Sequence, residues 1–441
     1  MASTGGKFKI LTVTSNALSG ATGIGSTFIN FFEGMEGIEL ANIYTGYGLP
    51  NAPFELRSFR ITEKSLLKNL LSPKAPSGEE VTGDSAEALT ESERKSYDSV
   101  RKSRPRILFF LRELLWAVGR VESKELRSFV SGFEPDVIFA IINDTRYLTK
   151  LVQRVKRMTG LPVCLFIADD FCSLKRRELS PFFWIGRVIK RSAHGKLIRQ
   201  CSKVFMMTDI AKREYDSMYG IDCGVMTKSL DFSGEPPKLP PFNGPLRFVY
   251  TGNLYNGRWQ QLAALGRAIE RVNEENVGNG AELEIWSMSP MTEEMEQALS
   301  SPHVRFMGGA PASEMPAIQS KAHVLVHAES TSPREAAVVR LSFSTKLVDY
   351  MRAGRCIFAV GPAEQASIAH LKENSAAVCV TEGEELYPAV RELAASEDAV
   401  RSYAAAAWEC GRKNHDSAAV KPAFLAELEM AAGVIPSSEE Q

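Results

Sequence analysis

The sequence predicts an α/β protein of two doubly wound domains, and three observations carry that prediction. At 441 residues the chain is too long for one ordinary core. In both halves, short apolar runs alternate with segments of helical period, the pattern of parallel sheets covered by helices. Regular structure stops once between them, at DFSGEPPKLPPFNGP (231–245), which holds five prolines and two glycines.

Before that stop, strands are expected at FKILTVT (8–14), IELANIYT (38–45), DVIFAII (136–142), PVCLFIA (162–168) and KVFMMT (203–208). Residues 72–105 carry few apolar side chains and read as a mobile loop or surface helix outside the core. Ile107, Phe110, Leu111, Leu114, Leu115 and Val118 follow at the spacing of one helical stripe. After the stop the order is more regular: LRFVYTG, a helix from Arg258, LEIWSM, a helix near 292, VRFMG, VLVHAE, a helix from Ser344, CIFAVG and AAVCV.

Composition narrows the function classes. With 44% hydrophobic and 24% charged residues and a formal net charge of -1, the chain is neither a collagen, a disordered protein nor a whole-protein nucleic-acid binder. Its seven cysteines form no C-x-x-C pair and read as reduced core thiols. No apolar leader precedes the first strand and no uncharged apolar run of 18 residues occurs, so a cytoplasmic, non-spanning protein is expected. The six histidines show no metal spacing, and no metal or cofactor is expected.

Glycines mark two candidate loops. In SGATGIGS (19–26), Gly20, Gly23 and Gly25 depart from the dinucleotide order G-x-G-x-x-G, and Glu39 is poorly placed for a ribose, so a nicotinamide or flavin site is disfavoured. The loop is a plain tight turn or a lining of a cleft between the domains. The second domain opens with a strand ending TG, a loop NLYNG and Arg258 at a helix start. Gly252 and Gly257 would let backbone approach a ligand, and a helix N-terminus with an arginine suits phosphate. A solvent-facing arginine is the plainer reading. In RLSFSTKLVDYMRAGRCIFAVG (340–361), Ser344 or Thr345 can cap a helix that carries Lys346 and Asp349 three apart, either a ligand pair or a surface ion pair.

TGNLYNGRW followed by FSTKLVDYMRAGRCIFAVG resembles the donor half of retaining GT-B glycosyltransferases, family 4-like, of bacterial polysaccharide biosynthesis. ELANIYTGYGLPN, FEPDVIF, the DDF of FIADDF and TDIAKREYDSMYG extend the resemblance over most of the chain. It implies two Rossmann-like domains flanking a cleft: an acceptor domain over 1–235, a nucleotide-sugar donor domain over 246–400, and C-terminal helices over 401–433, with Trp408, crossing back onto the first. Arg258 and Lys346 would hold the donor diphosphate, with Gly252 and Asn253 beside it. Ser344 and Thr345 would support them, Asp349 would take ribose or donor hydroxyls, and backbone near Gly308 and Gly309 would face the base.

The sequence departs from that family at three places. Leu341 stands where a glutamate is common, Gln260 and Gln261 where a lysine often follows the arginine, and a histidine expected near Ala168 is replaced. Asp169 and Asp170, left at that strand end, are candidates for catalysis or for bracing the loop. Nine Lys or Arg against one acid over 175–203 give a solvated helix face or, through Arg187, Lys190 and Arg191, a contact with anionic lipid or a lipid diphosphate. The reading is a glycosyltransferase acting on a saccharide or lipid-linked saccharide with retention of configuration, without nucleic acid. The alternatives are a GT-B-like nucleotide-sugar epimerase and a non-catalytic nucleotide-sugar-binding subunit.

Overall fold

The computed structural model describes residues 6–20, 23–46, 48–81, 106–176, 178–381 and 386–434, without the side chains of 106–110. They form two compact units: one of residues up to 174, 180–227 and from Lys421 on, the other of 175–179 and Lys228–Val420.

The first unit carries β1 (Phe8–Thr14), β2 (Ile38–Tyr44), β3 (Arg57–Arg60), β4 (Glu79–Val81), β5 (Val137–Ile141), β6 (Val163–Ile167), β7 (Lys203–Met206) and β8 (Gly224–Val225). They make one sheet in the order β4-β3-β2-β1-β5-β6-β7-β8. Every pairing is parallel except β3 with β4. Ile10, in the middle of β1, lies between Leu40 of β2 and Val137 of β5. Strands β5 and β6 are buried along their whole length, which is why they read as unbroken apolar runs rather than alternating ones. Phe28 and Phe31, from the helix Gly23–Phe32, pack with Phe139 and Phe166 on the sheet, and Phe424 closes the cluster.

Two sequence expectations change here. Of the segment 72–105, residues 72–81 are ordered: Ser77 is buried and β4 lies on the sheet edge, while 82–105 fall outside the described residues. The helix Arg106–Val118 forms, yet Leu111, Leu114 and Val118 are about half exposed and Trp116 is the buried anchor, its indole donating to Glu63.

The second unit has β9 (Leu246–Thr251), β10 (Ala281–Trp286), β11 (Val304–Gly308), β12 (Val324–Ala328), β13 (Cys356–Val360) and β14 (Val378–Val380), all parallel, in the order β11-β10-β9-β12-β13-β14. This is the doubly wound order 3-2-1-4-5-6, and it reverses between β9 and β12, where a crevice opens beyond the carboxyl ends of the strands. The helix Glu397–Asn414, expected to cross to the first unit, belongs instead to the second. Its Trp408 packs edge-on against Phe232, with the Arg352 guanidinium over its indole. Only from Lys421 does the chain count with the first unit.

Candidate functional site

The site grows from the carboxyl end of β9. Thr251 ends the strand, and the loop to the helix Arg258–Glu274 turns through Asn256 and Gly257, both in the left-handed region (φ 54° and 72°). A side chain at Gly257 would also collide with Ser330 and Glu335. Gly252 is glycine for a different reason. A Cβ there would run into the Lys346 ammonium and come within 2.8 Å of the Tyr250 hydroxyl. That gap lets Lys346, at the first position of the helix Lys346–Arg352, reach across and donate to the Thr251 carbonyl at 2.9 Å.

Burial, reinforced by the Arg258 charge, pushes the Lys346 ammonium down to about 8, against the opposing pull of Glu329 and Asp349. Its hydrogen bond goes to a carbonyl and no carboxylate among the described residues pairs with it, so it is a cation short of negative charge. Tyr250 and Tyr350 fix the surroundings: Tyr250 donates to the Asn253 carbonyl at 2.6 Å, and the Tyr350 hydroxyl lies 2.9 Å from that of Thr251.

A cavity of about 530 Å³ opens here, entirely within the second unit. Gly252, Asn253, Lys346 and Asp349 line one part of it, together with Lys228, whose ammonium lies 2.5 Å from the Asp349 carboxylate. The loops after β10 and β11 line another part, through Trp286, Met288 and Gly309, and the helix Met315–Ser320 adds Met315, Pro316 and Gln319. Ser287 donates its backbone N–H to Gly308 at 2.8 Å, which ties those loops together.

Not every residue singled out in the sequence reaches this cavity. Arg258 does not line it. Its guanidinium grips the buried Glu329 carboxylate with contacts of 2.9 Å and 3.2 Å and holds the Asn253 side-chain oxygen at 2.7 Å. Burial works against its charge, yet Glu329 more than offsets that and raises its pKa. Arg258 therefore braces the loop through Asn253, with its charge already answered. Gly308, Ser344 and Thr345 are likewise absent from the lining. Thr345 occupies the N-cap position without a side-chain capping bond, and Ser344 donates its backbone N–H to Ser367. Asp349 pairs with Lys228 rather than with Lys346.

In the first unit the structure turns the candidates inward. Asp170 is 1% exposed and accepts from the backbone of Cys172 and Ser173, from the Ser173 hydroxyl and from Arg187. It braces its loop and is not open to a substrate, while Asp169, next to it, is partly exposed. Arg187, expected on a lipid-facing surface, is 2% exposed and also binds the carbonyls of Ser173 and Asp170. Arg191 donates to the Cys172 carbonyl and Lys190 pairs with Asp144 at 2.6 Å. The helix Pro181–Ile198 exposes Phe182, Ile185, Val188 and Ile189, together with Ser192 and Lys196. Arg187 is therefore not available to an anionic surface, while Lys190 and Arg191 are partly exposed and engaged with Asp144 and the Cys172 carbonyl. Gly23 and Gly25 lie in the first turn of the helix Gly23–Phe32, and Gly20 in the turn before it.

Lys228, Trp286, Met288 and Gln319 are cavity residues that sequence reasoning missed. Only proximity to a strand end could have flagged Trp286 and Met288; nothing local marks Lys228, whose partner lies 121 residues away. Among the described residues no group of three or more His, Cys, Asp or Glu could hold a metal ion, and no helix is long and apolar enough to cross a membrane.

Residues 245–396 match the family model described as glycosyl transferases group 1. No curated protein sequence matches the chain. Among solved structures, Anabaena HepE in complex with UDP is similar over 96% of this chain and 100% of its own, with a TM-score of 0.64 and 12% identity. The sucrose-phosphate synthase of Thermosynechococcus elongatus is similar over 97% and 100%, with a TM-score of 0.63 and 10% identity. An α,α-trehalose-phosphate synthase (UDP-forming) from Burkholderia vietnamiensis gives 97%, 98%, 0.58 and 12%.

Proposed function

We propose that this chain, a group 1 glycosyltransferase of GT-B fold, transfers a sugar from a nucleoside diphosphate to a saccharide or lipid-linked saccharide hydroxyl in surface polysaccharide assembly, with the anomeric configuration retained. The observation that carries the reading is Lys346: a partly buried ammonium beside a glycine, without a carboxylate partner among the described residues, in a cavity at the switch point of the sheet. A diphosphate supplies the charge it lacks. Lys228 adds a second cation, and Asp349, between the two lysines, accepts from ribose or sugar hydroxyls.

Arg258 acts from behind, holding Asn253 and the loop in place. The new bond joins the anomeric carbon to the acceptor oxygen, the bond from that carbon to the diphosphate breaks, and the acceptor proton leaves with the diphosphate. No covalent nucleophile is assigned, and the acceptor-side role of Asp169 belongs to the same proposal. UDP-linked sugars are the first donors to try, because HepE and the Burkholderia synthase are described with UDP.

The test is a transfer assay with UDP-, GDP-, ADP- and dTDP-sugars against saccharide and lipid-linked acceptors, the product anomer being read by NMR. An α-linked donor should give an α-linked product, and turnover should survive excess EDTA since two lysines answer the diphosphate. An inverted product, or activity restored only by magnesium or manganese, overturns the mechanism. Conversion of the donor without acceptor would identify an epimerase instead.

A further inference from the structure

We infer that Gln319 is the side chain that reads the nucleobase of the donor, pairing through its carboxamide with an edge where a carbonyl adjoins a ring N–H, as in uracil. The inference rests on the donor reading above and gives that cavity a specificity-determining residue.

Gln319 lies on the helix Met315–Ser320, one turn beyond Met315 and Pro316, and all three line the cavity. It is 5% exposed, yet its side chain makes no hydrogen bond among the described residues. The residue lines the cavity, so a ligand there can supply the partner that the fold does not. The neighbouring hydroxyls already serve the loops as acceptors: that of Ser287 accepts from the Ser289 N–H, and that of Ser289 from the Leu254 N–H.

The walls beside Gln319, from Trp286, Met288, Met315 and Pro316, are apolar and suit the faces of a flat ring, whereas the cations Lys228 and Lys346 suit phosphate. A carboxamide offers one donor and one acceptor side by side, the complement of a ring N–H next to a carbonyl. Nothing in the fold fixes which way the amide faces, so the base sets its orientation.

Calorimetry with the full chain tests this, using UDP, CDP and inorganic pyrophosphate as probes. Gln319→Met keeps the length and the packing and removes both hydrogen bonds. It should weaken UDP about tenfold while leaving pyrophosphate affinity and Tm unchanged. Gln319→Glu supplies acceptors alone. It should weaken UDP at least as much and CDP less, because cytosine presents an amino donor where uracil has a carbonyl.

Wild-type UDP affinity in a folded Gln319→Met protein overturns the inference and leaves the donor site standing. So does an equal loss for UDP and pyrophosphate, which would mean that the cavity had merely collapsed. If the wild-type chain binds UDP, GDP, ADP, CDP and dTDP no better than pyrophosphate, the donor reading itself fails, and Gln319 with it.

Discussion

The two sheets share a strand order, β3-β2-β1-β5-β6-β7 in one unit and β11-β10-β9-β12-β13-β14 in the other, yet their carboxyl ends use charge in opposite ways. Beyond β6, Asp170 and Arg187 face each other at 3.2 Å, both almost fully buried. Beyond β9 and before the helix Lys346–Arg352, a lysine rests on a carbonyl oxygen and a cavity stays open. Charges that satisfy one another shape a loop. A charge held away from any counterion makes a place for a ligand. Topology supplies the crevice in both units, and the choice of partner decides what it is for.

That contrast can be broken most severely at the buried pairs. Arg187→Met should cost about 3–5 kcal/mol, because the buried Asp170 carboxylate loses the buried guanidinium that faces it. Urea unfolding should show the loss, with UDP affinity of the folded protein unchanged. Arg258→Met should lose stability in the same way through Glu329, whose side chain is 4% exposed, and should also weaken UDP because Asn253 loses its brace. A stable Arg187→Met protein that no longer binds anionic vesicles would return that helix to a membrane-facing role.

The next effect is in acid. His194 is fully buried in the first unit, hydrogen-bonded to Thr149 at 2.8 Å, and burial pushes its pKa down to about 4. The folded state therefore keeps it neutral while the unfolded chain protonates near the ordinary value of about 6.5. Stability is full above that value and falls as pH drops towards 4, by up to about 3 kcal/mol from this group. His194→Gln should flatten the part of the stability profile between pH 6.5 and 4 that this residue supplies. His327 and His415, both lowered to about 3 by burial, contribute the remainder.

A smaller effect sharpens the open end of the comparison. Lys346→Met should remove one charged hydrogen bond of roughly 1.5–3 kcal/mol, a 10- to 150-fold loss of UDP affinity, with uridine binding little changed. Equal affinity in a folded variant would mean that the diphosphate lies elsewhere.

The smallest effect is in base. Because the free ammonium titrates near 8, a bound diphosphate should raise its pKa. Affinity should then be constant well below pH 8 and fall by at most about tenfold per pH unit above it. Lys346→Arg, which keeps its charge, should show no such fall, and titration calorimetry at pH 7 and 9.5 separates the two.

Much of this was legible in the sequence. Strands β9 to β14 are short apolar runs bounded by turn residues, and period alone locates them. Gly252, Asn253 and Gly309 stand within a few residues of strand ends, where α/β sheets open crevices, and Lys346 and Asp349 were marked by the helix that opens after Ser344 and Thr345. The short strands β3, β4 and β8 were not legible, since two to four residues carry too little periodicity to register.

The pairing of charges was decided by tertiary structure alone. Arg258 with Glu329 spans 71 residues, Lys228 with Asp349 spans 121, and Arg187 with Asp170 spans 17. A sequence shows which residues carry charge and which lie near a strand end. Whether a given charge meets its opposite or is left for a ligand depends on distances of a few ångströms and on burial, which exist only once the chain is packed.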